Sequence, residues 1–252
     1  MRVKIIGVDC ATNPAKVGLA LGIWRGQAAA ILEVKAGSHK EPLAQTIIDW
    51  MPDAIPALIA MDAPLGWPVR LGRLLVQHMA GDHIDVDANQ LFRRRTDCVV
   101  REKLSRQPLD VGADRIARTA HAALQLLDEL RARSGYAVPL AWESRVEGVA
   151  AIEVYPAATL TAYGIQASGY KKKNDVEARK RIIERLREYL EMPEDTAPME
   201  ANADVLDAGV CVLAAADFLQ GKVVQPTDMA RAKKEGWIWF WAGAGATQGA
   251  RA

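Results

Sequence analysis

The sequence contains little cysteine, no excess of charge of either sign and no long run of apolar residues. Its three cysteines, Cys10, Cys98 and Cys211, are far apart and form no Cys-x-x-Cys pair. This spacing argues against a disulfide framework and a structural zinc site, and it favours a reducing, cytoplasmic setting. The formal net charge is +1, from 32 Lys and Arg against 31 Asp and Glu. The composition therefore excludes a protein that holds nucleic acid through overall positive charge, and any polyanionic partner must be met by a local patch.

The apolar segments are too short or too interrupted to enter a membrane. The longest nearly apolar stretch, Ala208 to Leu219, is shorter than the roughly 20 residues of a membrane-spanning helix, and it contains Asp217. The apolar N-terminus is interrupted by Asp9 and Lys16, which indicates a strand rather than an export signal. We therefore expect no membrane partner, and the sequence leaves the oligomeric state open.

The chain does contain enough apolar sequence for a large core, since 50% of its 252 residues are hydrophobic. Runs rich in β-branched residues predict strands at residues 3–9, 17–24, 28–34, 57–62 and 150–155. Apolar residues at three- and four-residue spacing predict helices at residues 42–51, 113–133, 175–190 and 202–219. We therefore predict an α/β protein that forms one domain over residues 1–252, with a helical insertion at about 65–150 between strands four and five.

Acidic residues fall where these predicted elements begin or end. Asp9 and Asp62 close the first and fourth strands, and Glu153 lies in the fifth. Asp204 and Asp207 lie three residues apart near the start of the last long helix, so both project from one face. Because the carboxyl ends of neighbouring strands line one crevice of an open α/β sheet, we expect these side chains to converge. Clustered carboxylates repel one another unless a proton or a divalent cation intervenes, and oxygen ligands favour Mg²⁺ or Mn²⁺ over zinc.

Each acidic residue taken alone also has a purely structural explanation. An Asp at a strand end is often a turn former, and Asp204 and Asp207 in a first helical turn would complement the helix dipole. The coincidence of all of them at converging ends favours a metal site. Carboxylates that hold two ions about 3.5–4 Å apart serve phosphoryl transfer by in-line displacement.

Five segments of the chain carry a resemblance to a known family. They are GVDCAT at 7–12, MDAPLGWP at 61–68, RRTD at 94–97, EVYPAATL at 153–160 and DVLDAGVCVLAA at 204–215. Together they resemble an uncharacterised "domain of unknown function" family described as predicted ribonuclease H-like nucleases, over about residues 3–241. The resemblance implies a ribonuclease H-like mixed five-stranded sheet flanked by helices, whose first three strands are antiparallel. It also implies that the catalytic and metal-binding carboxylates are Asp9, Asp62, Glu153 and Asp207, with Asp204 as an alternative metal ligand.

Other residues near these segments are candidates for substrate binding. Arg94 and Arg95 precede Asp97, which can orient either guanidinium towards the acidic site. Trp67 follows the fourth predicted strand and is the aromatic residue best placed for a substrate contact. Thr12 belongs to the turn after the first strand, where a phosphate group would approach.

A lysine run and an aromatic run near the C-terminus each have two explanations. Lys171 and Lys172 lie in a loop before a helix, where a mobile phosphate-binding loop is expected, although charge runs are also common on solvated surfaces. Trp237, Trp239 and Trp241 alternate along a predicted strand. Their packing against the core is favoured over stacking on bases.

These features predict a metal-dependent nuclease or related phosphodiesterase that uses two Mg²⁺ or Mn²⁺ ions on a nucleic acid or nucleotide-like substrate. Two alternatives stay open. A nucleotide-dependent phosphotransferase of the actin or sugar-kinase type has the same core topology and a turn like GVDCATNPAKVG at 7–18, but its late glycine-rich motif would have to be AGAGAT at 242–247. A noncatalytic binding protein on the same fold would keep the carboxylates paired with arginines and free of metal.

Overall fold

Five strands of mostly apolar residues form one sheet in the computed structural model, which describes residues 1–51, 55–112, 114–172 and 174–243. The strands are β1 (Val3–Asp9), β2 (Gly18–Trp24), β3 (Ala29–Ala36), β4 (Ala57–Asp62) and β5 (Val149–Glu153). The helices are α1 (Leu43–Trp50), α2 (Val69–Leu75), α3 (Ala88–Phe92), α4 (Arg95–Leu104), α5 (Asp114–Ser134), α6 (Pro156–Ala162), α7 (Val176–Leu186), α8 (Ala197–Ala201), α9 (Ala203–Leu219) and α10 (Met229–Glu235). A short 3₁₀ turn at Pro14–Lys16 joins β1 to β2.

The sheet is mixed, with the strand order β3-β2-β1-β4-β5. The first three strands form an antiparallel meander, and β4 and β5 continue it in parallel with β1. This arrangement confirms the expected fold class, a mixed five-stranded sheet flanked by helices. The helices α2 to α5 lie between β4 and β5 in the chain, where the helical insertion was predicted.

The two faces of the sheet are covered by different helices, which gives two layers of core. On one face lies α9, in which every residue from Val205 to Leu219 is buried. The other face is covered by α1 and α5, whose buried residues pack with Ile6, Val8 and Met61. Because both faces of β1, β4 and β5 are buried, these strands are apolar along most of their length and show continuous apolar runs rather than alternation. The edge strand β3 exposes Glu33 and carries Lys35.

The C-terminal tryptophan segment differs from the predicted strand. It forms isolated bridges from Ile238 to Glu153 and from Trp241 to Val223, rather than a strand of the sheet. Trp237 and Trp239 are buried, as the packing explanation predicted, and Trp239 meets Phe218 edge-on with 4.9 Å between ring centroids. Ile238 is buried too, so both sides of this segment face protein.

Among the described residues, no helix is both long and apolar enough to span a membrane.

Candidate metal centre

Two of the predicted acidic residues are direct neighbours at the end of the parallel strands. In the register of β1 and β4, Asp9 is paired with Asp62. Paired residues of adjacent strands project to the same face of a sheet, so both side chains point towards the face covered by α9. Asp9 and Asp62 are half-buried there.

The third carboxylate, Asp207, comes from α9. The helix begins at Ala203, where the Asn202 side chain accepts a hydrogen bond from the Asp204 backbone N–H and so caps it. It then passes unusually close to the sheet, because a Cβ at Gly7 would overlap the Ala208 carbonyl oxygen. A glycine in the middle of β1 thus lets the first turns of α9 approach the strand ends.

Asp9, Asp62 and Asp207 form a compact group in which one carboxylate oxygen of each lies within 4.8 Å of the other two. Asp207 is fully buried, and both of its oxygens have neighbours. Tyr170 donates a hydrogen bond from its hydroxyl to Oδ1 at 2.7 Å, and the Lys171 Nζ lies 2.7 Å from Oδ2. Both neighbours come from the loop between α6 and α7.

Burial and mutual repulsion raise the pKa values of all three aspartates. Burial, with the charges of its two partners, raises the pKa of Asp9 well above its ordinary value. Burial, with Asp207 as the next largest cause, raises the pKa of Asp62 to about 7. Burial also raises the pKa of Asp207, against the opposing effect of Lys171. Three carboxylates whose charges are disfavoured in this way form a site that a cation would stabilise.

Glu153 lies in the same pocket but has a different partner. In the register of β4 and β5 it is paired with Met61, not with Asp62, so its side chain starts from the opposite face of the sheet. Its two oxygens accept a bidentate pair of hydrogen bonds from the Arg94 guanidinium at 2.8 and 2.9 Å. One of them also accepts the Leu65 backbone N–H at 2.9 Å. The negative charge of Glu153 is therefore already compensated.

Arg94 is the centre of a buried charge network. The side chain is 1% exposed and forms a second bidentate pair with Asp97, at 2.9 and 3.2 Å. Asp97 in turn accepts the Arg94 backbone N–H at the start of α4, so its carboxylate caps the helix from the third helical position. The sequence predicted that Asp97 orients either Arg94 or Arg95 towards the acidic site. In the structure Asp97 holds Arg94. Arg95 instead pairs with Glu102 at 2.8 Å on the surface.

The carboxylates open into a pocket of about 580 Å³. Asp9, Asp62 and Glu153 line it on the sheet side. Arg106 and Leu109, from the segment that joins α4 to α5, line it together with Tyr155, Lys171 and Lys172. The pocket thus combines an acidic floor with basic and apolar walls.

The remaining predicted residues lie around this pocket or away from it. Asp204 is half-buried, and its negative charge acts on both Asp9 and Asp207. Thr12 is exposed in the turn after β1, and Trp67 is half-buried before α2; neither lines the pocket as it is formed by the described residues. Lys173 and residues 244–252, which include most of the AGAGAT segment, lie outside the described residues.

Sequence reasoning missed three residues of the pocket. Tyr170 directly precedes the lysine run, and Tyr155 lies inside the EVYPAATL segment, so both were adjacent to motifs already singled out. Burial raises the pKa of the Tyr155 hydroxyl, and Arg106 beside it opposes that shift. Arg106 has no local signal, because only the folding of the insertion over the sheet brings it to the pocket.

The chain is an α/β protein with the mixed five-stranded sheet expected of the ribonuclease H-like fold, and it has a candidate metal centre at the carboxyl end of its parallel strands. The chain belongs to the family described as "Protein of unknown function (DUF429)", whose model matches residues 7–231. No curated protein matches the chain. Among solved structures, it is similar to T. thermophilus RuvC in complex with Holliday junction substrate, with 13% sequence identity, a TM-score of 0.36 and coverage of 87% of this chain and 96% of that one.

Proposed function

We propose that the protein is a metal-dependent phosphodiesterase that acts on single-stranded nucleic acid or a nucleotide-like substrate. The observation that carries this proposal is the cluster of Asp9, Asp62 and Asp207, of which Asp9 and Asp62 line a basic-walled pocket. Acidic ligands and basic walls are the two requirements of a site that must hold a cation and a phosphate together.

The residues fit a divalent cation. Their donor atoms are all carboxylate oxygens, the ligands that Mg²⁺ and Mn²⁺ prefer. When ionised, the three aspartates together with Lys171 carry a net charge of minus two, which one divalent ion neutralises. The Lys171 ammonium already lies against Asp207, so the site favours positive charge there. A second ion would use the Asp204 carboxylate as an additional ligand.

Among the described residues, none of the three carboxylates is paired with an arginine, and Asp207 alone has a cationic partner, Lys171. This supports a metal site over the arginine-paired cluster of a noncatalytic protein on the same fold. Arg94, the buried guanidinium nearby, is held by Glu153 and Asp97 instead. The proposal therefore assigns the cation to Asp9, Asp62 and Asp207, and it gives Glu153 the role of holding Arg94 in the pocket wall.

Hydrolysis joins the oxygen of a water molecule to phosphorus and releases the bridging oxygen as a hydroxyl group. Bound divalent ions supply Lewis-acid stabilisation of the charge that develops on the phosphoryl oxygens. The chain supplies the positioning: Lys171, Lys172 and Arg106 line the pocket where phosphate oxygens would lie. Tyr170 holds Asp207 in place through its hydroxyl group.

The size of the pocket supports a single-stranded or nucleotide-like substrate. With a volume of about 580 Å³, the pocket is large enough for one unpaired nucleotide over the carboxylates. A nucleotide of an intact duplex would have to leave the base stack to enter it.

Mn²⁺ titration calorimetry and a cleavage assay test the proposal together. The wild type and two variants, Asp62→Asn and the surface control Asp49→Asn, are titrated with Mn²⁺ and incubated with labelled single-stranded and duplex oligonucleotides. Asp62→Asn is expected to weaken Mn²⁺ binding at least about hundredfold, since even neighbours of metal ligands cost 10–100-fold, and to abolish cleavage. Asp49 is exposed on α1 and its variant should behave as wild type. Cleavage that survives Asp62→Asn would contradict the proposed site.

A further inference from the structure

A second pocket, of about 780 Å³, lies where α2, α10 and the beginning of α4 meet. It is far richer in basic than in acidic residues. Its basic residues are Arg70, Arg73, Arg93, Arg95, Arg231 and Lys234, and Asp228 is the acidic residue among those that line it. We call it the basic pocket.

Three of these cations have carboxylate partners. Arg93 pairs with Asp110 at 3.2 Å, Arg95 with Glu102 at 2.8 Å, and Arg231 with Glu235 at 3.0 Å. The Asp228 carboxylate accepts the Arg231 backbone N–H as the cap of α10.

The other three cationic side chains are not paired with a carboxylate of the described residues. Arg70 donates a hydrogen bond to the neutral side chain of Gln90 at 2.6 Å. Within the described part of the chain, Arg70, Arg73 and Lys234 form no ion pair, and all three side chains are exposed. Asp228 offsets one of these three charges, and the positive charge that remains on this concave surface attracts a multiply charged anion.

A buried carboxylate holds this pocket in shape. Glu235 is 1% exposed, and its oxygens accept the backbone N–H of Val69 at 3.0 Å and of Arg95 at 2.7 Å. It thereby ties the starts of α2 and α4 to the end of α10. The cations are thus mounted on three helices whose ends share one anchor, which pre-organises them for a ligand.

We infer that the basic pocket is a second binding site, for phosphate groups, separate from the acidic centre. Guanidinium groups match phosphate oxygens through paired N–H donors, and four of the lining residues on α2 and around the start of α4 are arginines. Arg94 lines the acidic pocket and the next residue, Arg95, lines the basic pocket. The two pockets share no lining residue, so occupancy of one can be measured separately from occupancy of the other.

Binding without metal tests this inference independently of any cleavage. Fluorescence anisotropy of a labelled single-stranded oligonucleotide is measured in EDTA for the wild type, Arg73→Ala/Lys234→Ala and the control Arg25→Ala, an exposed arginine at the β2–β3 turn. The double variant is expected to bind at least about tenfold more weakly and to lower the slope of log affinity against log salt by about 1.4, or 0.7 for each lost contact. The Arg25→Ala control should be unchanged. Equal affinity and slope in the double variant would show that the oligonucleotide does not occupy the basic pocket, and together with a Cys98 that pyrophosphate does not protect they would overturn the inference.

Cysteine protection locates the ligand. Cys98 lines the basic pocket, so the rate of its alkylation, followed by mass spectrometry, reports occupancy of that pocket. Protection of Cys98 by the oligonucleotide supports a strand in the basic pocket; protection by inorganic pyrophosphate alone supports a free polyphosphate there. If neither ligand protects Cys98, the site is refuted. If the protein binds the oligonucleotide in EDTA but never cleaves it with metal present, the phosphate site in the basic pocket is supported and only the proposed phosphodiesterase activity is refuted.

Discussion

Replacing Arg94 with methionine should destabilise the protein more than replacing any exposed arginine. Arg94→Met keeps the length of the side chain but removes the charge that compensates Asp97 and Glu153, both almost fully buried. Removing one partner from a buried ion pair costs roughly 3–5 kcal/mol, because the remaining charge is left without compensation. For a chain of this size the loss corresponds to a decrease in Tm of roughly 6–20 °C.

The matched control is Arg95→Met. Arg95 pairs with Glu102 at a similar distance, 2.8 Å, but its side chain is 40% exposed and that of Glu102 is 54% exposed. Exposed pairs contribute about 1 kcal/mol at most, so this variant should lose little. Urea denaturation of both variants and the wild type, followed by circular dichroism, measures the difference. A loss below about 1 kcal/mol for Arg94→Met, or equal losses in the two variants, would refute the reasoning.

The free energy of unfolding that is lost in Arg94→Met should also depend on pH. Burial raises the pKa of Glu153, and Arg94 opposes that shift. Without Arg94 the folded state binds a proton on Glu153 more tightly than the unfolded chain does, so stability falls as pH rises. The loss in Arg94→Met should therefore be larger at pH 8 than at pH 5, and adding Glu153→Gln should recover part of it at pH 8.

Three further predictions concern the carboxylates and the packing of α9. Because the pKa of Asp62 is about 7 and a metal binds the ionised form, Mn²⁺ affinity measured by calorimetry should rise from pH 5.5 to 8; a flat profile would contradict this assignment. Asp217 is buried and its pKa is raised to about 7, so the folded state retains a proton that the unfolded chain loses, and stability falls between about pH 4 and 7 by up to roughly 4 kcal/mol. Asp217→Asn should remove that slope in urea denaturation and leave stability at pH 4 unchanged. Gly7→Ala places a methyl group against the Ala208 carbonyl oxygen and should cost about 1–3 kcal/mol. The control Gly148→Ala, where nothing lies within 4 Å of the added methyl group, should cost much less.

Several elements of the fold could be predicted from local sequence. The limits of β1 and β4 agree with prediction, because each is a short apolar run that ends at an aspartate. The capping residue Asn202 and the buried helix after it were also predictable, since a cap followed by continuous apolar residues is a local pattern. The tryptophan segment was not, because its bridges to Glu153 and Val223 depend on distant parts of the chain.

The arginine run shows a similar limit. Its three residues are equivalent in sequence, yet Arg94 is buried between two carboxylates while Arg93 and Arg95 line a different pocket. The start of α4 separates them, because an extended residue followed by a helix turns successive side chains in different directions. Local charge density alone did not distinguish these two environments.

The sequence by itself determined the strands, the long helices and the presence of acidic residues at their ends, because these follow from patterns a few residues long. The tertiary structure alone decided which acids meet. Asp9 and Asp62 share a face because β1 and β4 pair them directly, while Glu153 is paired with Met61 and starts from the other face. Side chains alternate along a strand, so a shift of one residue in register between distant segments changes the face and, with it, the partner of a carboxylate.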